Sequence, residues 1–218
     1  PQGNPSTGLG VPLEDREVNS YHLLIGEVEL AETVLETNIP GLHIMPSGSD
    51  LSGAEIELVA QERREYCLRE ALKDGAGDYD YVLIDCPPAL GLLTINALVA
   101  ARAVLVPLQC EFFALEGISQ LVKTIEHVKQ AFNPGLDIQG IVLTMHDRRN
   151  NLSHMVVNDV RDFFGDKVYK TVIPRNIRVS EAPSHGCPVI IFDLNCAGSK
   201  AYLSLAGEVI HRERQISA

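Results

Sequence analysis

The chain has 218 residues, 45% of them hydrophobic and 22% charged, which suits one substantial α/β domain and excludes a disordered or fibrous chain. No apolar run approaches the roughly 18–20 residues of a membrane span, and the five cysteines (Cys67, Cys86, Cys110, Cys187, Cys196) are odd in number and scattered, which argues against a disulfide framework or zinc site. The net charge of −11 is uneven: residues 1–100 hold 17 Asp and Glu against 5 Lys and Arg, whereas residues 146–178 hold 7 Lys and Arg against 4 Asp.

The opening segment Pro1–Gly10 is rich in glycine and hydroxyls but has no lysine. It reads as a phosphate-proximal loop or as a surface turn. The acidic stretch 27–36 predicts a solvated helix face. Leu42–Met45 is the first short apolar run, and Ser52-x-x-Glu55 predicts a capping box opening a helix through about Lys73. Tyr81–Ile84 is the next apolar run; Asp85 ends it, and Cys86-Pro87-Pro88 follows. Further runs are Val104–Leu108, Ile141–Met145, Val168–Ile173 and Val189–Phe192. Their β-branched content without strict alternation predicts strands buried on both faces of a parallel sheet. Between them, Leu115, Ile118, Leu121, Val122, Ile125 and Val128 form one stripe of a helix from Ala114 to Phe132, closed by Asn133-Pro134-Gly135. Leu152–Phe164 and Lys200–Arg212 are further amphipathic candidates, and Tyr66 and Phe132 are expected in the core. Strand followed by helix, repeated, predicts a doubly wound, mostly parallel α/β sheet with helices on both faces. No repeat, low-complexity tract or long linker divides the chain, so a single domain over 1–218 is expected.

In open α/β sheets, ligands bind at the carboxyl ends of the strands. Asp85 stands at such an end, where a carboxylate holds Mg²⁺ directly or through its water shell, a Walker B arrangement. Pro87 and Pro88 stop the strand and stiffen the loop after it. The alternative is a strand-end Asp that caps the next helix. A phosphate cradle of the form G-x-x-x-x-G-K-[ST] is missing; Gly198-Ser199-Lys200 lacks the upstream Gly and the preceding strand. The acidic total argues against nucleic acid, yet the basic stretch 146–178 can grip phosphates locally. An ordinary solvated face explains the same cations. His185, between Ser184 and Gly186, reads as a structural loop histidine more than as a general base.

Pro1-Gln2-Gly3-Asn4 with Thr7-Gly8-Leu9-Gly10 resembles the ParA-type chromosome-partition ATPases (the Soj group), as does Leu51-Ser52-Gly53-Ala54-Glu55-Ile56-Glu57-Leu58. The blocks 84–97, 109–117 and 173–186 resemble the same group in register. The resemblance implies a P-loop NTPase-like fold and an ATP-dependent switch. Such a switch uses ATP and Mg²⁺, dimerises with ATP bound, binds double-stranded DNA without sequence preference and answers to a ParB-type partner. It implies a cytoplasmic, nucleoid-associated protein. Residue by residue, Asp85 would be the Walker B carboxylate, the catalytic and metal-holding residue of this chain. Gly3 and Asn4 would lie beside the nucleotide, and Pro87, Pro88 and Gly91 would belong to the switch loop. Pro174 and Asn176 would frame the adenine, while Arg149 and Arg178 would meet DNA.

Members of the group carry a strand, a deviant P-loop with two lysines, a helix and a second strand ending in Asp before the Pro-Gln-Gly-Asn motif. That βαβ unit, roughly 30–40 residues, is not in this sequence. The chain is therefore expected to be an N-terminal truncation or incomplete gene product, lacking the first βαβ unit, poorly stable alone and inactive as an ATPase. Two alternatives stand beside the switch. One is a non-catalytic fragment that binds DNA and the partner. The other is a MinD-like membrane-associated ATPase, disfavoured because the terminal helix pattern faces a core; no membrane contact is expected.

Overall fold

The computed structural model describes residues 1–87 and 91–216, with side chains to 214. They group into two compact units, Pro1–Arg102 with Ile125–Leu136, and Ala103–Thr124 with Asp137–Ala218.

The first unit is built from short helices: α1 (Asn4–Gly8), α2 (Ser20–Ile25) and α3 (Leu30–Thr33) precede β1 (Leu35–Glu36) and β2 (His43–Ile44). Helices α4 (Leu51–Glu57), α5 (Cys67–Ala71) and α6 (Leu92–Ala100) follow. Leu24, Ala54, Leu58 and Leu93 form its buried cluster, which brings α2, α4 and α6 together. This unit departs from several expectations. The run Leu42–Met45 yields only His43–Ile44, paired antiparallel with β1 through Leu35↔Ile44 and Glu36↔His43. In the acidic stretch 27–36, only the single turn α3 is helical, because Val34 is already extended and leads into β1.

The expected helix to Lys73 is broken. Asp50, not Ser52, caps α4 by accepting from Leu51 N, and Gln61 and Arg63 leave helical geometry, Arg63 at φ +57°. The buried amide of Asn96 in α6 fills the break. It donates to Arg64 O at 2.8 Å and accepts from Leu68 N at 3.0 Å, taking both ends of the bond a continuous helix would have made.

Tyr81–Ile84 forms no strand among the described residues. A β-conformation persists only inside a ladder, and Leu83 is 89% exposed rather than sandwiched. Tyr66 and Phe132 are half-buried rather than core. Their rings meet edge-on at 6.1 Å, and Arg63 and Arg69 lie over the Tyr66 ring.

The second unit carries the sheet. It contains β3 (Ala103–Gln109), helix α7 (Ala114–Ala131), whose last turns belong to the first unit, and β4 (Asp137–His146). Then come α8 (Asn151–Phe164), β5 (Val168–Pro174), α9 (Ile177–Glu181), α10 (Val189–Phe192) and α11 (Ala197–Ile216). The strands lie in the order β3-β4-β5, all parallel as the apolar runs predict, but β3 is not buried on both faces, since Leu105 is 40% exposed. The predicted stripe of α7 is buried at Ile118, Ile125 and Val128. Val189–Phe192 is a helical turn instead of a strand. Pro188 opens it in extended geometry and Ser199 Oγ takes the Val189 carbonyl at 3.0 Å.

Alternation along β4 points Val142 toward Tyr169, Ile173 and Leu205, the cluster that seats α11, and leaves the buried Ile141 and Leu143 on the other face. Gly140 is required there, since a Cβ would collide with the Tyr169 ring. From α11, Arg212 lies over that ring, 4.0 Å from its centroid, and Glu208 accepts the Lys170 and Thr171 N–H groups at 2.8 and 3.0 Å. Glu208 thereby covers donors on β5, a border strand of this sheet. Among the described residues, no helix is long and apolar enough to cross a membrane.

Candidate functional site

The carboxyl ends of β3, β4 and β5 converge on one cluster of charged and ring side chains. Cys110 N, just past β3, donates to Thr144 O at 3.0 Å, and Arg175 N donates to His146 O at 3.0 Å, so the ladder continues into the loops. Cys110 is buried, which pushes its thiol up to about 11 against the nearby charge of Arg161. Ser153 Oγ donates to the Cys110 carbonyl and fixes the first turn of α8 beside it. Met145, the next-to-last residue of β4, is a non-glycine residue at φ +55°, a strained geometry that recurs at functional sites. His146 follows, paired in register with Pro174.

Beyond His146, Asp147 holds Arg149 through Nε at 3.2 Å and Nη2 at 3.1 Å, and also accepts Arg149 N at 3.0 Å. These hydrogen bonds, with the guanidinium charge, hold the Asp147 carboxyl at about 2. Asn150 caps α8 by accepting from Leu152 N, which presents His154 beside His146 with ring centroids 5.0 Å apart. Burial, then the charges of His154 and Arg148, hold His146 below the ordinary histidine range.

Past β5, Arg175 approaches Glu111 at 3.6 Å, and Asn176 caps α9 by accepting from Arg178 N at 2.9 Å. Arg178 pairs with Glu181 at 2.9 Å and Asp193 at 3.6 Å, over the Phe192 ring that His185 stacks on at 4.7 Å. His185 therefore sits in a ring stack. Of the sequence-predicted residues, Pro174, Asn176, Arg149 and Arg178 lie in this unit, and the β4–β5 register sets Pro174 opposite His146, three residues before Arg149. The basic stretch is there too, but acids neutralise much of it: Lys167 pairs with Asp137 at 3.4 Å, in addition to the pairs above.

The other predicted residues belong to the first unit. Gly3 is buried at φ +65° and opens α1; a Cβ there would lie 3.0 Å from Ser47 O and 3.1 Å from Arg16 Nη1. Arg16 donates to Val11 O and to Thr7 Oγ1 at 3.2 Å, and Ser6 Oγ accepts from Ser47 N at 3.3 Å, so the opening loop is held from both sides. Asn4 is exposed at the first position of α1. Asp85 is exposed, Pro87 is half-buried, and Pro88 lies outside the described residues. Gly91 starts α6, where Glu55 packs against it and accepts from Leu93 N at 3.5 Å.

Among the described residues, no group of three or more His, Cys, Asp or Glu side chains could hold a metal ion. Asp85 thus offers one carboxylate, enough only for an ion whose remaining ligands are phosphate oxygens and water. Sequence reasoning did not reach the His146–His154 pair, the Arg175–Glu111 contact, or the roles of Arg16 and Glu55. Each depends on which loops meet in space, and no local pattern encodes that.

A family model described as an AAA domain matches residues 1–138. The chain is 59% identical over 220 aligned positions to the chromosome partitioning protein ParA of Caulobacter vibrioides, covering 100% of this chain and 82% of that protein. It is 49% identical to the sporulation initiation inhibitor protein Soj of Bacillus subtilis, covering 96% of this chain and 83% of the other. Among solved structures, the cobyrinic acid a,c-diamide synthase of Mycobacterium smegmatis, with bound ATP analog and magnesium, superposes with a TM-score of 0.83 at 36% identity. That match covers 98% of this chain and 80% of the other.

Proposed function

The chain belongs to the ParA/Soj family of chromosome-partitioning ATPases, and from that membership we propose that it is part of an ATP-driven dimer switch in DNA segregation. In this reading residues 1–218 act as one nucleotide-hydrolase domain. The ATP-bound dimer holds double-stranded DNA without sequence preference, a ParB-type partner triggers its release, and the protein works in the cytoplasm on the nucleoid. The observation that carries the reading is the 59% identity to a partition protein over the whole chain.

The residues present fit part of a nucleotide site. When bound, ATP with Mg²⁺ supplies the phosphoryl group and the charge that eases its transfer. Asp85 would hold the ion through its water shell. Gly3, with no side chain between Ser47 O and Arg16, would let backbone approach the nucleotide closely. Pro87, Pro88 and Gly91 would form the segment that responds to the nucleotide, and Pro174 and Asn176 would frame the adenine. Arg149 and Arg178 would meet DNA phosphates, exchanging their present carboxylate partners for them.

The phosphates have no lysine-bearing loop in this sequence. These 218 residues alone are therefore expected to show no ATP turnover, because positioning and charge are most of what phosphoryl transfer requires. ATP turnover and DNA-binding anisotropy, each measured with and without Mg-ATP across a salt series, test the two parts. The expected result is no turnover with salt-dependent DNA binding. Turnover by this chain would overturn the inactivity. DNA binding indifferent to nucleotide, even in a longer chain carrying the two-lysine loop, would favour a binding module over a switch.

A further inference from the structure

Helix α2, the turn after it and helix α5 enclose a cleft of about 450 Å³ within the first unit. Leu24 and Leu30, both buried, give it an apolar floor, and the half-buried Val28 adds to its wall. Its mouth carries the exposed carboxylates of Glu29, Glu70 and Asp74, and no Lys, Arg or His lines it. Glu29 is partly engaged in capping α3, whereas Glu70 and Asp74 form no ion pair among the described residues.

We propose that this cleft docks a cationic amphipathic helix from a partner protein. Its aliphatic side chains would enter over Leu24 and Leu30, and its Lys or Arg residues would meet the three carboxylates. Apolar anchors spaced along one helix face are the usual way such a groove is filled. Charge narrows the occupants, because lipid headgroups or nucleic acid of negative charge are repelled by this rim. A cationic segment is attracted by it. Docking of this kind requires no nucleotide, so its outcome is separable from that of the switch.

Cys67 reports on occupancy, because it lines the cleft half-buried while Cys86 is exposed and outside it. The probe is a synthetic helical peptide of leucine and lysine with leucines at i, i+3, i+4 and i+7; a leucine–glutamate peptide of the same pattern is its control. Both are titrated against the full 218-residue chain, following peptide anisotropy and the alkylation rates of Cys67 and Cys86. The lysine peptide is expected to bind and, at saturation, to slow Cys67 alkylation about tenfold with Cys86 unchanged. The double variant Glu70→Lys, Asp74→Lys should bind it about tenfold more weakly with an unchanged circular dichroism spectrum, since both side chains are exposed. Three results would overturn the proposal: equal binding of the two peptides, full-rate Cys67 alkylation at saturation, or undiminished binding by a folded double variant. Cys67 protection that grows with chain concentration without peptide would assign the cleft to a second copy instead, and overturn it equally.

Discussion

Asp147 grips Arg149 through both carboxylate oxygens, at 3.2 Å to Nε and 3.1 Å to Nη2, on the loop between β4 and α8. An arginine proposed to meet DNA is thus already paired with an acid two residues before it. The Arg149 side chain is 89% exposed, so a phosphate reaches it without any rearrangement of the fold.

Removing the acid should release the arginine. Asp147→Asn is expected to tighten DNA binding roughly threefold at low salt and to steepen the salt dependence, because one more cation is free to displace counterions. Arg149→Ala should weaken binding and reduce the salt slope by about one. In the Arg149→Ala background, Asp147→Asn should then have little effect. Because the Asp147 carboxyl lies at about 2, the parent's DNA affinity should show no step from this pair between pH 4 and 9. Anisotropy titrations at several salt concentrations, repeated across pH 4–9 for the parent, check all four statements.

The second unit was largely legible because its elements are long and periodic. A stripe at helical spacing predicted α7, and β-branched runs predicted β3, β4 and β5 in parallel. Most of what failed was short, and all of it depended on partners distant in sequence. Val82 and Leu83 have the composition of a buried strand, yet composition does not provide a ladder. Val189–Phe192 is equally apolar, but Pro188 and Ser199 set it as a helical turn. At the site, Asn176 was found through its motif, whereas its structural role is to cap α9.

The break between α4 and α5 rests on one side chain. Asn96 is 1% exposed and its amide also donates to Leu92 O at 3.0 Å. Asn96→Ala leaves the Arg64 carbonyl and the Leu68 N–H without partners, so it should destabilise the protein by about 2–3 kcal/mol. Asn96→Asp keeps the acceptor for Leu68 but loses the donors to Arg64 and Leu92, and should be no better tolerated. Urea unfolding of the three proteins, compared by midpoint at equal slope, measures this.

His146 should make stability fall with acid. Its folded value lies below the ordinary one near 6.5. The unfolded chain therefore takes up this proton first, and the contribution of neutral His146 is intact above that value and lost as pH falls through it. His154, Arg148 and Arg161 add positive charge in the same direction, while Asp147 opposes them. His146→Gln should flatten the stability profile between pH 7 and 5 and leave it unchanged above pH 7.5. Thermal unfolding across that range tests the sign directly.

Gly91 connects the segment after Asp85 to α6, and its lack of a side chain matters because of Glu55. A Cβ at position 91 would run into the Glu55 carboxylate, which must then leave Leu93 N. The φ of −90° at Gly91 suits any residue, so backbone strain contributes nothing. The whole cost of Gly91→Ala should be the displaced cap, about 0.5–1 kcal/mol, because the carboxylate is the far end of a flexible side chain. Glu55→Ala should cost a similar amount by removing the cap outright. With no carboxylate left to collide with, Gly91→Ala in the Glu55→Ala background should then be silent. A double-mutant cycle on unfolding free energies isolates that coupling. Additive losses would mean that the close approach of Glu55 to Gly91 contributes nothing to holding the start of α6.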